Sequence, residues 1–188
     1  MSVFHASFFS KCLMVTTSVN IILPDLPLMA EPGGFYRSGK RYKILWLFHG
    51  SCGDENSWLL NTNIARYATE RDLMVVCPSV LNSDYANYST FADGFAVWDY
   101  LFTELMPMVY GWLPASEKKE DNYIAGLSMG GNGALMAALG HPEKFKAVAV
   151  LSSTAREVEY LRQFATLTAD EFRRKVEKNP ELFPGPNG

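Results

Sequence analysis

Ser128 lies in the stretch Tyr123-Ile124-Ala125-Gly126-Leu127-Ser128-Met129-Gly130-Gly131, after an apolar run and before the helix formers Ala134 to Leu139. A bare G-x-S-x-G spacing carries little weight; it gains meaning when a buried strand precedes it and a helix follows. Strand, sharp turn and helix together lift a serine hydroxyl clear of the backbone, where it can attack a carbonyl carbon. Gly126 and Gly130 flank the expected turn where a Cβ would clash, and Gly131 and Gly133 let the helix approach the sheet. The N-terminus of that helix directs free N–H groups and the positive end of its dipole at the serine, where negative charge develops during acyl transfer. Gly140 and Pro142 supply the stop. The plainer reading is a Gly-rich connection with an incidental serine, and the flanking strand and helix weigh against it.

A second constellation, Leu47-Phe48-His49-Gly50-Ser51-Cys52-Gly53, ends another apolar run. An H-G-x-x-G stretch after a strand is where serine hydrolases of this architecture place their second oxyanion donor. Gly50 lets the loop fold close to the site, and the Ser51 N–H is expected to point inward beside that of Met129. Cys52 has no histidine pattern or basic neighbour to activate it and reads as an inert loop cysteine. His141 opens a His-Pro pair at the far end of the helix that Ser128 begins, roughly 20 Å away at the α-helical rise. It cannot serve as the base for that serine. His5 falls in the first strand, and His49 is committed to the oxyanion loop.

These residues need elements to hold them. Val15, Thr17, Val19 and Ile21 alternate with polar residues, and with Phe4 to Ser10 they predict two antiparallel strands at the start of the chain. Ile44 to Phe48, Leu73 to Cys77, Tyr123 to Ala125 and Ala147 to Leu151 are short, nearly continuous apolar runs that suit strands buried on both faces of a parallel sheet. Between them, Ser57 caps a predicted helix from Trp58 to Arg71 with Leu59, Ile64 and Tyr67 inward. Phe95, Trp98, Leu101, Phe102 and Leu105 recur at three and four, a helix disturbed near Pro107 and finished by Pro114. Alternating strands and helices of this length predict βαβ units and an α/β class. Mixed charge from Arg156 to Lys178 with a thin apolar stripe predicts surface helices.

One domain spanning residues 1–188 suits the length. With 48% hydrophobic and 20% charged residues the composition is that of a globular domain, and a net charge of −3 offers nothing to nucleic acid or an anionic membrane. The basic cluster Arg37, Lys40, Arg41 and Lys43 reads as a solvated loop. No run approaches the ~18 apolar residues of a membrane span. Cys12, Cys52 and Cys77 show no metal spacing and read as free thiols; Met1 to Met14 lacks the form of a signal peptide. Both point to the cytoplasm, with no metal or cofactor implied.

His49-Gly50-x-x-Gly53 with Ser57-Trp58, Asp121-Asn122, Gly126 to Gly131 and His141-Pro142-Glu143 resembles the esterase D superfamily of α/β-hydrolases, most closely its tributyrin-esterase branch. The likeness runs from the first strand to about Ser153. It implies a mostly parallel sheet with antiparallel N-terminal strands, and a serine carboxylesterase acting on short-chain acyl esters through an acyl-enzyme at Ser128. Glutathione-thioester hydrolases of the superfamily usually carry a histidine before the serine and a serine-glycine oxyanion loop, where this chain has Leu127 and His49-Gly50. Feruloyl and acetyl-xylan esterases resemble the same set. The triad order of the fold is serine, acid, histidine. The strands expected here stop two short of the family's, so the chain resembles a member that ends before its acid and histidine. Asp170 and Glu171 fall in the charged segment with no later histidine to orient. Tyr85, Tyr88 and Phe91 are expected to line the acyl pocket. The expected partner is a small ester, with a homo-oligomer formed through the sheet edge at Ala147 to Leu151. The competing reading is a non-catalytic α/β-hydrolase-like remnant that binds ligands or partners through the same cleft.

Overall fold

The chain opens with a hairpin in which β1 (Ser2–Ser10) pairs antiparallel with β2 (Val15–Leu23), in register from Ser2 opposite Leu23 to Ser10 opposite Val15. A computed structural model describes residues 1–88 and 95–153. Short helix α1 (Pro32–Tyr36) leads to β3 (Lys43–Phe48), then α2 (Ser57–Asn61), α3 (Ile64–Glu70) and β4 (Leu73–Pro78). A two-residue pair, β5 (Asn87–Tyr88) with β6 (Phe95–Ala96), precedes a helical stretch over 97–112. That stretch comprises α4 (Val97–Asp99), a π-helical turn over Tyr100–Leu105 and α5 (Met106–Trp112). β7 (Asn122–Leu127), α6 (Met129–Gly140) and β8 (Ala147–Leu151) follow.

The main sheet has six strands in the order β1-β2-β4-β3-β7-β8. β2 meets β4 antiparallel, while β4, β3, β7 and β8 run parallel. This is the predicted class, a mostly parallel sheet with antiparallel N-terminal strands, and each apolar run became a strand. In β3, β4 and β7 the runs are continuous because both faces are largely covered. On β3, Ile44, Trp46 and Phe48 turn to a core shared with Tyr100, Leu101, Leu105 and Val109 of the long helical stretch and Ala134 and Ala137 of α6. Leu47 turns to the opposite core, with Ala65 and Ala68 of α3. At a transfer free energy of about 25 cal/mol per Å² of apolar surface, these two layers are the main source of stability.

Two helices differ from expectation. The helix predicted over 58–71 is broken at Thr62-Asn63. The Thr62 hydroxyl donates to the Trp58 carbonyl at 2.5 Å and accepts from the Ile64 N–H at 3.1 Å, a local turn that competes with the helix. Ser57 is the first helical residue rather than the cap: its hydroxyl accepts from the Asp54 N–H, and α2 has no side-chain cap. Tyr67, expected inward, is exposed, and Ala65 and Ala68 are the buried positions of α3. The other helix starts at Val97, because Phe95 and Ala96 pair in a strand. Its disturbance at Pro107 takes the form of the π-helical turn, in which the Met106 N–H reaches back to the Leu101 carbonyl. The wider turn accommodates a proline that has no N–H to offer.

The described residues lie within one compact unit, Met1–Thr154. The charged segment from Arg156 to Lys178 lies outside them. Within them, no helix is long and apolar enough to cross a membrane, and no cluster of His, Cys, Asp and Glu is placed to hold a metal ion. β8 forms one edge of the sheet among the described residues, and its five residues are exposed.

Candidate active site

β7 delivers the chain to Ser128 at the carboxyl end of the parallel strands, and α6 leaves immediately after it. Ser128 sits at φ 54° and ψ −116°, a conformation that residues with a Cβ rarely adopt. Its N–H donates to the Leu151 carbonyl at the end of β8 (2.9 Å), and its carbonyl accepts from the Asn132 N–H in α6 (3.1 Å). The turn closes so tightly that a Cβ on Gly126 would overlap the Gly130 carbonyl. A Cβ on Gly130 would stand 2.5 Å from the carbonyl oxygens of Phe48 and His49. Both glycines are therefore required by close approach, and the second packs the elbow onto the end of β3.

The loop after β3 meets the elbow from the other side. A Cβ on Gly50 would lie 3.2 Å from the Leu127 carbonyl and 3.6 Å from the Ser128 Cβ. The sequence-predicted residues Ser128, Met129, Gly50 and Ser51 thus come together at one end of the sheet. Among the described residues, no acceptor engages the Ser51 N–H or the Met129 N–H. Free donors at a helix start and on an adjoining loop are the parts from which an oxyanion site is built.

His49 is buried, and both of its ring nitrogens are taken. The Val80 N–H donates to Nε2 at 3.2 Å, so the proton resides on Nδ1, which donates to the Gly50 carbonyl at 2.7 Å. Burial pushes the imidazole below its ordinary pKa, against the opposing pull of the Gly50 carbonyl and the Asp54 and Glu55 charges. His5 lies on the hairpin, 2.9 Å from the Asn20 side-chain oxygen. His141 follows α6 at its far end, stacked on Trp98, tilted against Phe102 and 3.3 Å from Glu143. None of the three histidines serves Ser128. Asp170 and Glu171 lie outside the described residues.

Tyr85 takes a different place from the one expected of a pocket wall. It is buried at φ 58°, its ring stacks on Phe48 at 4.3 Å between centroids, and its hydroxyl donates to the His49 carbonyl at 2.9 Å. It supports the loop after β3. Sequence reasoning missed this because the partner is 36 residues away. The backbone of Tyr88 pairs with Phe95 in the β5–β6 hairpin, and Phe91 lies outside the described residues. Cys52 is exposed and free.

The Esterase family model matches residues 19–168, a span that contains both the Ser128 elbow and the Gly50 loop. The chain belongs to this esterase family. It is 29% identical over 156 residues to an acetyl esterase of Caldicellulosiruptor saccharolyticus, covering 81% of this chain and 56% of that relative. Among solved structures it is similar to the substrate-bound fluorophosphonate-binding serine hydrolase F of Staphylococcus aureus. The identity is 34% and the TM-score 0.71, over 81% of this chain and 57% of the other. It is also similar to an S-formylglutathione hydrolase of the same organism, at 32% identity and TM-score 0.72, over 95% of this chain and 66% of that one. The chain thus spans little more than half the length of the first two relatives and about two thirds of the third. These neighbours are serine hydrolases of the α/β-hydrolase fold, which is the fold of this chain.

Proposed function

We propose that this esterase hydrolyses short-chain carboxylic esters through an acyl-enzyme at Ser128, as a member of the tributyrin-esterase branch. The observation that carries the reading is Ser128 at a left-handed backbone angle between β7 and α6, with the Gly50 loop packed against it. In the first half-reaction the Ser128 Oγ attacks the ester carbonyl, and the Ser51 and Met129 N–H groups hold the oxyanion. The carbonyl re-forms as the alcohol leaves, carrying the proton a general base took from Ser128. Water then attacks the acyl-serine, and the carboxylic acid departs. The base is none of His5, His49 and His141. Leu127 in place of a histidine before the serine favours oxygen esters over glutathione thioesters. The three free cysteines favour a reducing compartment such as the cytoplasm.

The test is hydrolysis of p-nitrophenyl acetate and butyrate by the full-length protein, with fluorophosphonate labelling of the parent and of Ser128→Ala. Turnover and labelling that both vanish in the variant are expected. Labelling that persists in Ser128→Ala overturns the assignment of the nucleophile. The second reading is a ligand-binding α/β-hydrolase relative without turnover, acting through the same cleft. That reading requires a parent that binds esters but is neither labelled nor active.

A further inference from the structure

The loop that follows β4 holds the oxyanion loop through a side chain with no place in the chemistry above. Asn82 is exposed, yet its Oδ1 accepts the Cys52 N–H at 2.7 Å and its Nδ2 lies 3.9 Å from the Cys52 Sγ. Cys52 stands at φ 61°. For a residue with a Cβ that conformation costs about 1–2 kcal/mol, and it persists only where neighbours hold it. Asn82 is the neighbour that does so.

The consequence falls on Ser51. Its N–H belongs to the Gly50–Ser51 peptide, whose carbonyl end is fixed by two donors, His49 Nδ1 at 2.7 Å and the Gly53 N–H at 3.1 Å. Carbonyl and N–H point in opposite directions across a trans peptide, so those two bonds turn the Ser51 N–H away from the His49 ring. The next peptide, Ser51–Cys52, is free to swing unless its own N–H is held, and that N–H is the one Asn82 accepts.

We propose that Asn82 is a positioning residue for the oxyanion site: by holding the Cys52 N–H and its left-handed backbone, it fixes the second of the two peptides flanking Ser51, so that the Ser51 N–H keeps the direction the two bonds to the Gly50 carbonyl give it. The proposal rests on the esterase reading and goes beyond it by naming a residue outside both motifs. A pre-aimed donor stabilises the developing oxyanion without reorganising during the reaction, whereas a swinging one must be ordered each time. The side chain acts as an acceptor, so an acceptor of the same shape should replace it.

Asn82 is exposed, so substitution leaves the core untouched. In the full-length protein, Asn82→Leu is expected to lower kcat on p-nitrophenyl acetate by about tenfold or more, with KM within about twofold. Asn82→Asp keeps the acceptor and is expected to retain most of the parental kcat. The ratio of activity on the ester to activity on its thionoester, whose C=S accepts hydrogen bonds poorly, should fall in Asn82→Leu. A mere loss of packing would leave that ratio in place. An Asn82→Leu variant with parental kcat and an unchanged ratio overturns the proposal, as does an Asn82→Asp variant as impaired as the leucine. A parent inert towards both esters instead sinks the esterase reading. Hydrogen exchange then decides the clamp alone: a Cys52 amide about tenfold faster in Asn82→Leu supports it, and an unchanged rate overturns it.

Discussion

The Cα of Gly130 lies against the carbonyl oxygen of His49, so close that a Cβ there would stand 2.5 Å from it. One atom of clearance separates the Ser128 turn from the loop after β3. The two motifs therefore cannot be perturbed independently. Gly130→Ala should force the elbow and the end of β3 apart and destabilise the protein by about 3 kcal/mol, at the upper end of overpacking effects. The measurement is the urea midpoint. A shift equivalent to less than about 1 kcal/mol would show that the contact relaxes freely.

His49 sets a pH dependence whose sign follows from its environment. Burial lowers the imidazole's pKa in the folded state relative to the ordinary value of 6.5. The unfolded chain therefore binds this proton at higher pH than the folded one. The contribution of neutral His49 is complete above about pH 6.5 and is lost as the pH falls through the ordinary value towards the depressed one. Protonating Nε2 would also set a second N–H against the Val80 N–H that now donates to it. Chemical unfolding at pH 7.5 and pH 5 should show a loss of stability that is much smaller in His49→Gln. An equal loss in both proteins would assign the effect to other groups.

Much of this was legible in the residues. The apolar runs at Ile44, Leu73 and Tyr123 became parallel strands because two-sided burial leaves a plain signature; the run at Ala147 pairs alongside β7 although its residues are exposed among the described ones, and the elbow announced itself by its glycines. The break at Thr62 was hidden, since one hydroxyl bridging the Trp58 carbonyl and the Ile64 N–H outcompetes a helix that periodicity favours. The form of the irregularity before Pro107 was hidden too, because a proline signals a fault without dictating a π-helical turn. The places of Tyr85, expected in a pocket wall, and of Asn82 were not legible. Their partners, His49 and Cys52, lie 36 and 30 positions away, a separation at which no local pattern survives.

Asn122, which opens β7, offers a sharper test of how the sheet is locked. Its Oδ1 accepts from Trp46 Nε1 at 3.0 Å and from the Tyr110 hydroxyl at 2.9 Å. Its Nδ2 donates to the carbonyls of Ser116 and Lys118 at 2.8 and 2.9 Å. Every hydrogen-bonding position of the amide is filled, in a fully buried site. Asn122→Asp preserves the shape but turns an oxygen towards two carbonyls, which lose their donor. A loss of about 3 kcal/mol is expected at neutral pH. A urea midpoint equal to that of the parent would mean that the donors are dispensable.

The last prediction turns on the backbone of Ser128. At φ 54° and ψ −116° a Cβ crowds the neighbouring peptide groups, while glycine reaches such angles without that clash. Strain of this kind costs about 1–3 kcal/mol, and glycine gives back about 0.5–1 kcal/mol of it through the greater freedom of the unfolded chain. Ser128→Gly should therefore be more stable than the parent by about 1 kcal/mol, although it removes the proposed nucleophile. Ser128→Ala retains the Cβ and the strain, so it should stay near the parent. The pair separates the hydroxyl from the backbone. Urea unfolding of the three proteins should rank glycine above alanine and serine. If alanine proves as stabilising as glycine, the cost lies in burying the hydroxyl and not in the turn.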